Sequence, residues 1–501
     1  MQDSLSFLCR QSLVIAARAI FIPALLFFAL SAIYIFYVLI LGRIRAYRSP
    51  LQNVPGPKEA HWLSGDFVDV QEPDSSRLQE EWVRTYGHVM RYHSRFGTLR
   101  LLTVDPVAIA YILQNSEIFQ KSDFVRFSLG TFTGRGLLFV EGPQHRKQNP
   151  AFGPTQVRKF TSMFLEKSLE STRKDGKLSF NTFVWLNKVT LDIIGLAGFN
   201  YAFNSLHAPD EKQNELYESI RSMLTTKAGQ FMFILQLFFP LFRPIPTARS
   251  RVLNRSMEVI RRIGSQLIRD KKGHDLLSLL IKSNIASDTP ESMRMSDEEI
   301  LSQVPTFLFA GHETSSTAIA WTLFALSCHP AVQTTLRAEL RTCPTDMPTM
   351  DQLNAAPVLR LYAPVSATQR IAMHDAEIPL QKPFKDNRGI TAELDPGDSV
   401  SIPIRLLNRS TEIWGEDANE FRPERWESVP EAAHAVPSVY GHLATFIAAL
   451  LFTLVRGFEF ELALPAEDIV RRTSIVGRPV VASNPAAGPQ LPLLIRPANL
   501  D

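Results

Sequence analysis

Cysteine is scarce: the 501 residues contain three, Cys9, Cys328 and Cys343. That number excludes a disulfide scaffold and any four-thiolate zinc or iron–sulfur centre. Charge of one sign is also lacking, with Lys+Arg 53 against Asp+Glu 50 for a net +3. No basic surplus points to nucleic acid, and no such partner is expected. Low-complexity segments and internal repeats are missing as well. Glycine (24) is outnumbered by proline (33), and phenylalanine is abundant at 33. With hydrophobic residues at 45% and charged ones at 21%, the chain is globular rather than disordered or collagenous.

One long apolar run is present. Ala19 to Leu41 gives 23 consecutive uncharged residues, about 34 Å as a helix and enough for a ~30 Å hydrocarbon core. The run is too long for a signal peptide and carries no cleavage site, so it reads as a retained anchor. Pro23 is tolerated in a membrane helix. Arg43, Arg45 and Arg48 follow the run and Arg10 and Arg18 precede it, which slightly favours a cytosolic C-terminal body. Val54-Pro55-Gly56-Pro57 cannot be helical and reads as a hinge. The expected organisation is an anchor at 1–47, a hinge at 48–57 and a body at 58–501.

In the body, Tyr86–Tyr92 and Thr98–Val104 alternate as a hairpin, and Asp105-Pro106 opens a helix. From about 155 to 285 the periodicity is helical. Residues 229–243 are strongly apolar and broken by Pro240, which suits either a core segment or a patch at the membrane surface beside the anchor. Ser296-Asp297-Glu298-Glu299 is a capping box that launches a helix to Cys328, long enough to cross the fold. From about 365 to 405 the pattern turns to β, with Asp395-Pro396-Gly397-Asp398 as a turn.

The long helix carries Ala310-Gly311-His312-Glu313-Thr314 at its middle. Glycine there costs roughly 1 kcal/mol relative to alanine, so Gly311 marks either a ligand's approach or a tight helix–helix contact. Glu313 and Thr314 set an acid beside an alcohol in an apolar helix; buried, they must be hydrogen-bonded, and together they suit proton relay. His312-Glu313 begins a zinc-protease HExxH pattern, but Ser316 stands at the second histidine's place.

Further along come Arg360-Leu361-Tyr362-Ala363-Pro364, Arg370, Trp414-Gly415 and Phe421-Arg422-Pro423-Glu424-Arg425-Trp426. Together with Ala310–Thr314 and Pro55-Gly56-Pro57, this ordered set resembles the cytochrome P450 family, microsomal fungal members in particular, over roughly residues 55–498. The resemblance implies a mainly α (α+β) fold after one transmembrane helix. It implies a haem b cofactor and monooxygenase chemistry with O2 and electrons from an NADPH-cytochrome reductase. The substrate implied is a small lipophilic molecule, a terpenoid or polycyclic aromatic, in secondary metabolism or detoxification. The place implied is the endoplasmic reticulum membrane. Residue by residue, Ala310 and Gly311 would open the dioxygen groove and Thr314 with Glu313 would supply protons. His145 and Arg370 would hold haem propionates, Arg360 and Arg425 would belong to a Glu–Arg–Arg network, and residues 119–136 would form part of the substrate lid.

The resemblance breaks at three places. The family's F-x-x-G-x-R-x-C-x-G loop supplies a thiolate to the iron. Here Tyr440–Phe452 has Ala449 where its glycine should be, with no arginine or cysteine following. None of the three cysteines stands at the ligand position, so no metal ligand is assigned. His442 is a poor substitute, because the missing loop also seats the haem. Pro357 replaces the glutamate one turn before Arg360, which is expected to leave Arg360 and Arg425 without their carboxylate, at about 3–5 kcal/mol if buried. Asn149 stands where the arginine four residues after His145 belongs. Three short losses at haem-contact segments, with intact sequence between them, read as missing exon pieces of an ordinary enzyme rather than as decay. The chain as it stands is then expected to be inactive; the alternative is a haem-free remnant with a binding or regulatory role.

Overall fold

The computed structural model describes residues 2–58, 61, 65–66, 75–148, 181–206, 215–225, 230–270, 277–278, 281, 294–342, 360–384, 389, 391–436, 450–473 and 476–498. The apolar N-terminal run lies within one helix, Gln2–Arg48. Its Leu25–Arg48 portion is long and apolar enough to cross a membrane, with mean hydropathy 2.5 in its most apolar stretch and none of that stretch buried. A second helix of similar length and lower mean hydropathy (1.2), Thr182–Phe199, is instead mostly buried in the body.

Eleven strands are described: β1 (Val89–His93), β2 (Leu99–Thr103), β3 (Phe119–Gln120), β4 (Thr368–Ala372), β5 (Ala376–Pro379), β6 (Thr391–Leu394), β7 (Ser399–Ile402), β8 (Phe458–Leu462), β9 (Ile469–Thr473), β10 (Gly477–Val481) and β11 (Leu493–Pro497). The main sheet runs β1-β2-β7-β4-β3, and β5-β6, β8-β11 and β9-β10 form separate pairs. The expected hairpin is present, with Val89 opposite Thr103. Asp105 caps the next helix by accepting from the amides of Val107 and Ala108. Gly397, at φ +84°, completes the β6–β7 turn, a conformation that favours glycine.

The capping box at Ser296 forms as expected. The single helix expected to follow it is divided, however, into Asp297–Leu301 and Gln303–Cys328. Pro305 accounts for the division, because it offers no amide to the carbonyl of Leu301 and its ring crowds that carbonyl. Gln303–Cys328, the central helix, packs along Thr182–Phe199, and the two share a large apolar cluster with β8, β9 and β11. A second cluster lies between the main sheet, β5, β6 and the Pro106–Gln114 helix.

Residues 230–243 divide between the two readings the sequence allows. Phe239 and Phe242 are buried, while Phe231 and Leu241 are 75% and 57% exposed. Tyr34 of the N-terminal helix meets the rings of Phe239 and Phe242 edge-on. The N-terminal helix is also held at its end, where Ser49 Oγ donates to Asp398 Oδ2 at 2.8 Å. Beyond it, Arg91 N and Nε donate to the carbonyls of Pro55 and Val54, so the proline-rich segment lies on β1. A Cβ at Gly56 would fall 2.0 Å from the Arg91 carbonyl oxygen. Gly56→Ala is therefore expected to destabilise the protein by roughly 1–3 kcal/mol. A lowered urea midpoint in detergent checks this, and an unchanged midpoint would count against the packing.

Candidate active site

The central helix is buried from Gln303 to Ser327 except at Ala310, Gly311 and Thr314. Their spacing of i, i+1 and i+4 places them on one face of one turn. That turn is the partly open stretch of an otherwise sealed helix. Thr314 Oγ1 donates back to the Ala310 carbonyl at 2.5 Å. The space a side chain would need at Gly311 is taken by Ile194 of the neighbouring helix, 2.7 Å from an ideal Cβ. Of the two readings of this glycine, the structure shows the helix–helix contact. Two polar ties flank it: Thr190 Oγ1 donates to the His312 carbonyl, and Ser316 Oγ to Asn187 Oδ1.

Glu313 and Thr314, adjacent in sequence, bond in different directions. Glu313 is 3% exposed. Its Oε2 accepts from Arg478 Nε at 2.9 Å and lies 2.6 Å from Arg478 Nη2, at the start of β10. Its Oε1 lies 3.4 Å from His312 Nε2. His312 Nδ1 lies 2.9 Å from the Leu308 carbonyl, which can only accept, so this nitrogen carries a proton. Burial alone would push the Glu313 carboxyl up; Arg478 and His312 outweigh it and hold it at about 2. Arg478 was not among the expected residues. It lies 165 positions from Glu313, with no local pattern linking them.

His145 and Arg370 are brought together, with company the sequence did not announce. Glu141 accepts from Lys121 Nζ at 2.7 Å and from the Lys121 amide at 3.0 Å. Burial pushes the Lys121 ammonium down, against Glu141 and with Arg370 and Arg126 nearby. Burial likewise lowers His145, with Lys121 and Arg370 adding to it, and lowers Arg370, which Glu141 partly offsets. Arg370 Nη1 donates to Thr368 Oγ1 and the Gln369 carbonyl. Arg126 lies over the Phe139 ring at 4.9 Å, and its Nε is buried with no hydrogen-bond partner among the described residues.

Arg360 and Arg425 grip one loop from two sides. Arg360 donates to the carbonyls of Asn408 (2.7 Å), Ala418 (2.6 Å) and Glu420 (3.3 Å), and lies over the Trp414 ring. Arg425 donates to the Trp414 and Asp417 carbonyls and pairs with Asp417 Oδ1 at 2.8 Å. The expectation that both lack a carboxylate is corrected for Arg425, which Asp417 serves. Among the described residues, Arg360 is held by backbone carbonyls. Pro357, Asn149, His442 and Ala449 lie outside the described residues. A separate cleft of about 260 Å³, lined by His88, Lys382, Arg409 and Glu412 among others, contains none of the expected site residues.

The family model for cytochrome P450 matches residues 55–440. The chain belongs to the cytochrome P450 family. It is 43% identical to cytochrome P450 monooxygenase 205 of Postia placenta, over 91% of this chain and 94% of that one. It is 42% identical to monooxygenase 128 of the same fungus (91% and 95%) and 30% identical to monooxygenase claW of Ampulloclitocybe clavipes (91% and 94%). The family match stops at 440, just before the stretch where the thiolate loop belongs. The alignment with monooxygenase 205 spans 512 positions yet uses 91% of a 501-residue chain. That relative therefore carries residues for which this cytochrome P450 has no counterpart.

A cytochrome P450 works with haem, and the described residues fit the carboxylate side of that group. Among the described residues, Lys121, Arg126 and Arg370 set three positive charges against one carboxylate, that of Glu141. The surplus of two matches a dicarboxylate. The iron side has no such fit among the described cysteines: Cys328 is half-buried beside Tyr362, about 21 Å along the helix from Thr314.

The Glu313–Arg478 pair has a measurable consequence. The folded carboxyl sits at about 2, below its ordinary 4.5. Its contribution is therefore fully present above about pH 4.5 and is lost as the pH falls toward 2. Arg478→Met leaves a buried charge unpaired and is expected to cost about 3–5 kcal/mol at pH 7. Adding Glu313→Gln should restore part of it. Chemical denaturation measures both; equal stability of Arg478→Met and the parent would exclude a buried pair.

Proposed function

We propose that this chain is the membrane-anchored body of a haem-thiolate monooxygenase that hydroxylates a small lipophilic substrate, in secondary metabolism or detoxification. In its present form, without the thiolate, it does not complete that reaction. The observation that carries the reading is the open turn Ala310–Gly311–Thr314 on a buried helix, in a chain of this family. When bound through a thiolate, haem supplies oxygen activation for insertion into a C–H bond.

The protein's own residues have distinct tasks in this reading. Thr314 Oγ1 is the proton-bearing group on the open turn, and its bond to the Ala310 carbonyl orients it. Glu313, ionised and pinned by Arg478, keeps a negative charge one residue away and can exchange a proton only when that pair opens. His145 and Arg370 would hold the haem carboxylates, and Arg360 and Arg425 brace the 408–420 loop. Phe124 and Phe127 of the Asp123–Thr133 helix meet Phe238 and Phe233 of the Gln230–Phe238 helix. This aromatic lining, near the anchor, supports a lipophilic substrate and a lid over residues 119–136. Arginines after the apolar span support a cytosolic body on the endoplasmic reticulum membrane, where an NADPH-cytochrome reductase would supply electrons.

A second reading, a haem-free remnant that binds without catalysing, is favoured by one observation: no cysteine occurs between Cys343 and the C-terminus. A carbon monoxide difference spectrum of the reduced, haem-supplemented protein tests the proposal. No thiolate-type Soret band is expected from this chain. A thiolate-type band would overturn the assignment of a missing ligand.

A further inference from the structure

The cleft of about 260 Å³ that holds none of the expected site residues has the make-up of a binding site. Its floor is apolar, with Val83 from the Ser75–Tyr86 helix, Val104 after β2, and Leu406 and Ile413 from the chain after β7. Its rim is charged, with Glu80, Arg84, Lys382 and Glu412. The walls are fixed from behind. Asp105, fully buried, accepts from the amides of Gln381 and Lys382 while capping its own helix, which ties the 381–382 wall to the helix start. His88 Nε2 lies 2.8 Å from Glu412 Oε2 and joins the start of β1 to the facing wall. Burial would raise the Glu412 carboxyl; His88 and Lys382 outweigh it and hold it below the ordinary carboxylate range, so Glu412 is ionised and His88 Nε2 donates. Arg409, which also lines the cleft, donates to the Leu361 carbonyl at 2.8 Å. A formed apolar hollow on which a few polar groups converge is the usual shape of a small-molecule site.

We propose that this cleft binds a small amphipathic monocarboxylate, with its apolar body on the floor and its carboxylate against Lys382. The lining sets three cations, Arg84, Lys382 and Arg409, against the carboxylates of Glu80 and Glu412. The Lys382 ammonium has three N–H donors, is 60% exposed, and lies 3.5 Å from a Glu412 oxygen that His88 already holds at 2.8 Å. It can turn to a second carboxylate while His88 keeps Glu412. Two carboxylates on the same rim disfavour a dianion such as a phosphate ester, and a monoanion remains. The volume lies just under the ~300–1,000 Å³ of drug-sized pockets, which calls for a compact body. The site also reaches the rest of the protein. The stretch from Leu406 to Ile413 that lines the cleft includes Asn408, whose carbonyl Arg360 holds, and Arg409, which holds the residue after Arg360. A ligand on Leu406 and Ile413 therefore steadies the loop that Arg360 and Arg425 brace. The cleft does not depend on the haem reading.

The test uses the full chain in detergent micelles, titrated with adamantane-1-carboxylate and with the neutral adamantane-1-carboxamide, against micelles without protein. Trp82 and Trp414 adjoin the lining residues Val83 and Ile413 and report binding through their emission, and hydrogen exchange locates it. The parent is expected to bind the carboxylate saturably and several-fold more tightly than the carboxamide, with slower amide exchange over 404–414. Lys382→Gln should abolish the preference between the two probes. Ala432→Phe, at an exposed position on the rim, should weaken both about tenfold or more by filling the cleft. Failure of both probes to saturate, or unchanged affinity in Ala432→Phe, would overturn the site. Equal or tighter binding of the carboxamide by the parent, or an undiminished preference in Lys382→Gln, would overturn the carboxylate. Protection confined to residues outside the cleft would place the ligand elsewhere and overturn the site as well.

Discussion

A charge placed inside a packed core must be paired, and the body of this protein depends on how Glu313 meets that requirement. The carboxylate lies on the central helix, buried on nearly every side, and its cation comes from β10 near the C-terminus. Trp321, two turns further on, donates its indole N–H to the Gly477 carbonyl beside Arg478. The β9–β10 pair is thus fastened to the helix by one ion pair and one neutral hydrogen bond. Thr182–Phe199 closes the other side through Ile194 against Gly311. With those faces occupied, the turn bearing Ala310 and Thr314 is what remains for chemistry.

The same accounting holds for the buried arginines of the body. Arg360 is 2% exposed and would be costly without acceptors. Among the described residues, three backbone carbonyls and the Trp414 face receive it, and Asp417 receives Arg425. Elsewhere Asp192 accepts from Ser205 and Leu206, and Arg337 donates to the Val455 and Phe458 carbonyls. Progressive decay would have left such groups stranded. The cationic cluster near Arg370 differs: among the described residues its charges are only partly matched.

Local signals were legible in the sequence because they are local in physics. Asp105 before Pro106, the Ser296 capping box and the Asp395–Asp398 turn depend on atoms a few residues apart, and each formed as read. The split at Ser302 was also readable, since Pro305 cannot serve the carbonyl four residues back. Long-range partners were not. Arg478 for Glu313, 165 positions away, follows from which surfaces the fold brings together; Asp417 with Arg425 and Lys121 with Glu141 lie nearer in the chain but carry no recognisable spacing. The adjacency of Glu313 and Thr314 suggested a joint relay, yet a helix rotates successive residues by 100°, and the two side chains meet different neighbours. Phe231 and Phe242 show the same limit, one exposed and one buried within a single apolar run.

The central claim is that segments, not the fold, have been lost from a haem-thiolate enzyme. The relatives' additional residues and the end of the family match at 440 agree with it. Sequencing full-length transcripts across residues 145–150, 353–360 and 446–451 tests it most directly. The account predicts additional in-frame codons at these junctions, including a cysteine codon at the last. An uninterrupted reading frame identical to this chain at all three would contradict it.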